Sequence, residues 1–390
     1  MKVTLFSNYL NHHQLPLCQA LDRLTDHGFT FVATTPVPAE RLSMGYHDMN
    51  KQYPFVLTTY DSAENERIAQ LLALKSDVVI TGSAPEIYTK MRIEQGKLTF
   101  RYSERIYKRG VWRALSPRGL CGMLRHHRKY RHAPLYMLCA SAYTAFDFSL
   151  TGSYLRKTFK WGYFPEVKEQ NLDEFFARKH ANEKVRILWA GRMIEWKHPE
   201  MALNIAGRLH QHGYDFDMLL IGNGELAQRL NEQIQSAGLG QHVHMLGAMS
   251  PEAVRSHMEQ ADIFLFTSDF QEGWGAVLNE SMNSACAVVA SHAIGSVPFL
   301  LKDGTNGLIY KNGHEADLYA RVVKLIEHPE LREHLGRNAY QTLAEVWNAD
   351  MAAERFLALT QALLNGEDPV LFADGPCSRA EILRKGWYRG

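Results

Sequence analysis

TSDFQEGWGAVLNESMNSACAVVAS, residues 267–291, carries two glutamates eight positions apart, Glu272 and Glu280, with Gly273-Trp274-Gly275 directly after the first. The run Ile263-Phe264-Leu265-Phe266 precedes it, and Ala287-Val288-Val289-Ala290 lies near its end. Short continuous apolar runs of this kind are the pattern of strands buried on both faces. The order strand, glycine-containing loop, helix, strand makes one parallel crossover unit. Glu272 then falls at the carboxyl end of a strand, where open α/β sheets bind ligands. Glu280 falls inside the helix, one or two turns on. The helix start offers free N–H groups suited to a phosphate or a polar sugar, and both carboxylates can accept hydrogen bonds from hydroxyls.

Upstream, Val185–Ala190 reads as a buried strand running into Gly191-Arg192-Met193-Ile194-Glu195-Trp196-Lys197, with a helix expected over 199–212 and Pro199 in its first turn. Arg192 and Lys197 therefore sit on a strand-to-helix loop at the same edge. Arginine offers a planar fork to phosphate oxygens and lysine a mobile point charge. Phe216–Ile221 is a further strand, followed by Gly222-Asn223-Gly224-Glu225 and a helix to about residue 238. The run 243–248 is another, ending at the small residues Gly247 and Ala248. Asp215-Phe216-Asp217 spells a metal-binding D-x-D, but at the amino end of its strand, opposite the ligand edge.

The N-terminal part alternates as well, with strands expected at 2–7, 29–35, 77–82, 98–103, 136–141 and 159–164, and helices at 15–27, 64–75 and 118–130. Helical patterns also cover 315–328, 329–346 and 349–365. Two runs of strand–helix alternation imply an α/β protein of two doubly wound domains.

These motifs together resemble the retaining glycosyltransferases of family four, the glycosyl transferases group 1, over residues 185–350; the N-terminal half is similar in architecture alone. The resemblance implies the GT-B fold, two Rossmann-like domains facing a central cleft. It divides the chain into an acceptor-binding domain over 1–165, a nucleotide-sugar-binding domain over 166–365 whose final helices cross back, and a tail over 366–390. By the same resemblance, Glu272, Arg192 and Lys197 form the catalytic set, with Glu272 at the transferred sugar and the two cations on the pyrophosphate. Glu280 holds the ribose hydroxyls. Gly273, Trp274, Gly275, Gly224, Gly247 and Ala248 complete the donor site, the last two against the base.

The implied reaction moves a sugar from a nucleoside-diphosphate sugar to an acceptor hydroxyl with retention of anomeric configuration, in synthesis of cell-envelope polysaccharide or glycolipid. No cofactor or metal is implied, and a UDP-sugar is favoured on family frequency. Asn11, His12 and Glu104 are the candidate acceptor contacts. Here the chain departs from its relatives: the loop after the first strand has no glycine, and Glu104-Arg105 stands where many carry a histidine. The alternatives are a sugar phosphorylase, a nucleotide-sugar epimerase, or a soluble enzyme glycosylating a small molecule. A nicotinamide-dependent oxidoreductase needs a G-x-G-x-x-G after a strand, and Gly222-Asn223-Gly224 is not followed by a third glycine.

Length and composition agree with this frame. A chain of 390 residues with 46% hydrophobic and 22% charged side chains is that of a globular protein of two or three domains. Five scattered cysteines form no C-x-x-C pair, which speaks against a disulfide framework or zinc cluster. Residues 1–7 read as a strand rather than a signal peptide, and no apolar run reaches the roughly 18 residues of a membrane span. A cytoplasmic location is expected, with peripheral attachment at the inner membrane face as its variant.

The charge is uneven. Residues 101–132 hold ten Lys or Arg against the single Glu104, a net +9 in a chain of +1. An anionic partner is implied, and Trp112, Leu115, Leu120, Met123 and Leu124 interleaved with the charge favour a membrane surface over a merely hydrated face. No nucleic-acid module accompanies it.

Overall fold

The computed structural model describes residues 1–39, 47–369 and 372–389, and every count below refers to them. The chain forms two compact units, Met1–Glu166 with Trp347–Arg384, and Val167–Val346 with Lys385–Gly390.

The first unit is built on seven parallel strands: β1 (Val3–Ser7), β2 (Phe29–Ala33), β3 (Val56–Thr58), β4 (Val78–Thr81), β5 (Thr99–Ser103), β6 (Leu135–Cys139) and β7 (Thr158–Lys160), in the order β3-β2-β1-β4-β5-β6-β7. Val3 pairs with Phe29 on one side and Val78 on the other, so the order reverses between β1 and β4. Every residue of β1 and β4 is buried, as strands covered on both faces require. Phe6 stacks on Tyr88 at 4.4 Å over Val32, Val79, Ala69 and Ala73.

Helix Ala63–Lys75 starts at Ser62, whose hydroxyl accepts from the Asn65 amide at 3.1 Å. Helix Glu86–Glu94 carries Arg92 into the interior. There its guanidinium donates to the carbonyls of Leu98, Ala73, Ser76 and Asp77 at 2.6–2.9 Å. Burial draws its pKa down to about 10, with Asp77 opposing. Four charge-assisted bonds offset the desolvation and pin three chain segments together.

Several elements differ from expectation. The helix expected over 15–27 ends at Leu24, because Asp26 and His27 adopt left-handed backbone (φ 52° and 59°). The one expected over 118–130 is Pro117–His126. It breaks at His127, whose Nδ1 meets the Tyr154 hydroxyl at 2.9 Å, and a 3-10 turn, Arg128–Tyr130, follows. The strand expected over 159–164 stops at Lys160, and the Phe164 amide bonds instead to the His13 carbonyl. Sequence reading passed over β3 and helix Glu86–Glu94 altogether.

Helix Ala349–Leu364 packs on helix Leu15–Leu24, with Phe356 against Phe100 and Trp161. Residues 377–380 then run beside β7, pairing Cys377 and Ser378 with Lys160 and Ala380 with Thr158. The stretch expected as a tail contributes to both units. Residues 377–380 edge the sheet of the first unit, whereas Tyr388 in the second donates to the Ile309 carbonyl at 2.5 Å.

The second unit has six parallel strands: β8 (Val185–Ala190), β9 (Phe216–Ile221), β10 (Val243–Gly247), β11 (Ile263–Phe266), β12 (Ala287–Ser291) and β13 (Leu308–Tyr310), in the order β10-β9-β8-β11-β12-β13. Ile187 pairs with Ile263, which places the order reversal between β8 and β11. Helix Pro199–Gln211 buries Met201, Leu203, Ile205 and Leu209 on the sheet, with Trp189, Met218 and Leu265 in the same core.

Candidate active site

Two loops leave the β8/β11 reversal, 191–198 and 267–276, and they are laced together. The Trp189 indole donates to Thr267 Oγ1 at 2.8 Å, and that hydroxyl donates to the Lys197 carbonyl at 2.7 Å. The Asp269 amide reaches the Trp196 carbonyl at 3.0 Å. Across this seam Lys197 Nζ meets Glu272 Oε2 at 2.5 Å, and the Ser268 hydroxyl donates to the same oxygen at 3.1 Å. Glu272 is only 8% exposed. A nearly buried carboxylate needs such partners, since desolvation disfavours an unpaired charge. Lys197 also lies over the rings of Trp196 and Phe266, at 4.9 and 5.9 Å. Arg192 is exposed, with its guanidinium carbon 5.9 Å from the Trp196 ring centroid.

Gly275 has φ 80°, and a Cβ there would lie 2.3 Å from the Phe266 ring. Only glycine lets the backbone turn this tightly against β11. Trp274 is fully buried, its indole donating to Asn279 Oδ1 at 2.9 Å, so its ring is packed inside the unit. Glu280 lies on the seven-residue helix Val277–Asn283. Burial pushes its pKa up to about 7, with Arg255 opposing.

The loops after β9 and β10 pack alongside. The Gly191 amide bonds to the Ile221 carbonyl and the Gly222 amide to the Gly247 carbonyl. A Cβ on Gly222 would sit 1.8 Å from the Gly191 oxygen, so these loops approach backbone to backbone. Gly224 lies in the middle loop, and Gly247 and Ala248 are exposed at the end of β10. The structure therefore brings the expected donor residues to one edge of one sheet. Asp215, by contrast, precedes β9 and pairs with Lys184 at 2.9 Å.

Sequence reasoning missed Ser268, Asp269 and His198. His198 follows Lys197 in left-handed backbone (φ 49°, ψ 53°). No spacing rule flags it, because its partners become visible only in three dimensions.

In the first unit Asn11 and His12 follow β1, and Glu104 follows β5. Asn11 Nδ2 donates to Gln14 Oε1 at 2.9 Å and its Oδ1 accepts from the His13 amide at 3.1 Å. The His12 and His13 rings lie 3.7 Å apart. Glu104 accepts from the Tyr163 hydroxyl at 2.7 Å and pairs with Lys108 at 2.5 Å. The basic segment is partly internal: Arg105 is buried against Asp147 at 3.2 Å, and Arg101 pairs with Glu86. Arg109, Arg113, Arg118, Arg125, Lys129 and Arg131 are exposed. So are Trp112 at 64% and Leu115 at 81%. Among the described residues no helix is long and apolar enough to cross a membrane.

With both sheets and the site in place, the chain compares as follows. A crystal structure of Anabaena Alr3699/HepE in complex with UDP shares the fold, with a TM-score of 0.69 at 15% identity, covering 93% of this chain and 100% of that one. The fold is GT-B. Residues 171–342 match the family model of the glycosyl transferases group 1. The chain is 26% identical over 191 residues to alpha-D-kanosaminyltransferase of Streptomyces kanamyceticus, 49% of each chain. It is 27% identical over 190 residues to the amylovoran biosynthesis glycosyltransferase AmsK of Erwinia amylovora, 43% of this chain and 46% of the relative. The matches thus span about half the length of these curated relatives.

Proposed function

We propose that this protein transfers a sugar from a nucleoside-diphosphate sugar to an acceptor hydroxyl with retention of configuration. The observation that carries the reading is the Lys197–Glu272 pair at the β8/β11 reversal, with Arg192 exposed on the same loop. Lys197 and Arg192 neutralise the leaving diphosphate. Glu272 lies at the transferred sugar and Glu280 at the ribose, with Gly273, Gly275, Gly224, Gly247 and Ala248 shaping the donor site by backbone. The acceptor attacks from the face the diphosphate leaves, through an oxocarbenium-like state, and a leaving phosphate oxygen takes its proton. Asn11, His12 and Glu104 are placed on the acceptor side. No metal is required by this scheme.

The test is a donor screen that follows release of nucleoside diphosphate, with and without EDTA. UDP-sugars come first, since a protein of this fold was solved with UDP. Activity that returns only with magnesium or manganese would remove the metal-free scheme, and no release from any donor would remove the transferase reading.

The acceptor is placed at an anionic membrane surface, in extension of an envelope polysaccharide. A relative named for amylovoran biosynthesis supports this, and so do the exposed Trp112 and Leu115 among basic side chains. Basic residues near an anionic leaflet contribute about 1 kcal/mol each, so a few give reversible attachment. Co-sedimentation should need anionic lipid, weaken with salt, and fall when Arg118, Arg125, Lys129 and Arg131 become Gln. Equal pelleting with neutral vesicles would favour a soluble enzyme with a hydrated basic face.

A further inference from the structure

His198 keeps a left-handed backbone that a side chain with a Cβ resists, directly after Lys197. Both of its ring nitrogens face carboxylates. Nδ1 meets Glu200 Oε1 at 2.7 Å and Nε2 lies 3.7 Å from Asp269 Oδ2. Asp269 in turn accepts the Glu272 amide on its carbonyl at 3.1 Å and gives its own amide to Trp196. We infer that His198 is a positioning residue of the donor site, an imidazolium that ties the start of helix Pro199–Gln211 to the loop carrying Glu272 and so sets the Lys197–Glu272 geometry. The inference rests on the transferase reading above and deepens it by one residue.

A ring with an anion at each nitrogen is held with both protons on. Its pKa rises to about 9, through Asp269 first and Glu200 next, against the effect of burial. Burial works to raise the Asp269 carboxyl, yet His198 and the Gln271 amide hold it below its ordinary value. The charged groups facing the ring are thus Glu200 from its own helix and Asp269 from the loop after β11, with Lys197 adjacent in the chain. Tyr310 of β13 lies near Glu200, and burial keeps it neutral. Because the folded pKa stands above the ordinary 6.5, the bridge is intact at neutral pH and is lost as pH rises through about 9.

His198→Gly separates positioning from plain structural support. Glycine accepts the left-handed backbone without strain, so the fold keeps its local geometry while the bridge goes. His198→Asn, which also tolerates this conformation, is the second variant. Both should fold, and turnover should drop about 10-fold or more, as small misplacements at a reacting centre do. The unaltered protein should lose activity near pH 9, and that alkaline fall should disappear in both variants. Unaltered turnover with an unaltered alkaline limb in either folded variant overturns the inference.

Proton NMR of the unaltered protein supplies an activity-free readout. The His198 ring should titrate near pH 9, and titration near its ordinary 6.5 overturns the bridge. That readout decides the matter if neither variant folds. It also separates the two readings: a ring titrating near 9 in a protein that turns over no nucleotide sugar removes the transferase reading and leaves the bridge.

Discussion

At the β8/β11 reversal of the second unit, Lys197 and Glu272 meet across a seam of backbone and hydroxyl bonds, and Arg192 stands open beside them. At the β1/β4 reversal of the first unit the topology is the same and the contents are not. Asn11 spends its carboxamide on its own turn, and Glu104, one strand further along, is engaged at both oxygens. The sheet supplies a ligand edge in both cases; the loops decide what it can hold. Opposite charges concentrated at one reversal suit a reaction that moves charge onto a leaving diphosphate. At the other, the one carboxylate is held by the Tyr163 hydroxyl and the Lys108 ammonium, and the carboxamide by its own turn.

The sharpest way to break this contrast is to remove the cations. Lys197→Ala and Arg192→Ala should each lower turnover by about 10²-fold or more, roughly 2.7 kcal/mol of transition-state stabilisation. Lys197→Ala should also lower the melting temperature, because Glu272 loses the partner of a nearly buried charge. Arg192→Ala should not, since Arg192 is exposed. Steady-state kinetics with thermal melts checks both, and near-native rates would return the site to an ordinary ion pair.

Second in size is Gly275→Ala. The added Cβ would meet the Phe266 ring at 2.3 Å in a left-handed backbone. A loss of about 2 kcal/mol or more is expected from strain and overpacking, read from urea unfolding, with donor affinity falling alongside. An unchanged midpoint would mean the loop after β11 yields easily, and the rigid seam would be the wrong picture.

The seam also shows what could be read in the sequence. Strands β8 to β12 announce themselves as apolar runs, and Glu272 and Glu280 keep their places because the loop and helix that carry them are local. Arg105 could not be read that way. It counts toward a basic patch by position, yet it is buried on Asp147, 42 residues along the chain. His198 was invisible for the same reason, since its partner Asp269 comes from another crossover. Strand β3 is three residues long and half-buried, too short for a periodicity to show. Locally encoded elements were legible, whereas polar pairs made by tertiary contact were not.

A smaller effect tests the division of labour inside the second unit. Glu280→Gln should weaken nucleoside-diphosphate affinity by about 1.5–3 kcal/mol if the carboxylate accepts ribose hydroxyls, while Glu272→Gln should lower turnover more than affinity. The Glu280 carboxyl is held up to about 7, above its ordinary 4.5, so the folded state favours its neutral form. Stability drawn from that neutral form is full below the ordinary value and is lost as pH rises toward 7. Nucleotide affinity runs the other way and should strengthen between pH 6 and 8 as the acceptor ionises (pKa about 7). Calorimetry across that range should show the slope in the unaltered protein and none in Glu280→Gln. A slope that persists in the variant would assign it to another group, and weaker affinity in Glu272→Gln than in Glu280→Gln would exchange the two roles.

The least effect is expected in the first unit, at Glu104→Gln. Glutamine can still accept from Tyr163, and what disappears is the charge facing Lys108, in a partly exposed pair. Such pairs contribute about 0–1 kcal/mol, so the melting temperature should move little. If Glu104 also accepts an acceptor hydroxyl, the acceptor KM should rise by about 3- to 10-fold with the donor KM unchanged, since a hydrogen bond to a charged group is worth more than one to a neutral amide. A change confined to the acceptor KM would mark the first unit as the acceptor side. No change in either constant would leave Glu104 as a brace for Tyr163 and move the search for acceptor contacts to His12 and the loop after β1.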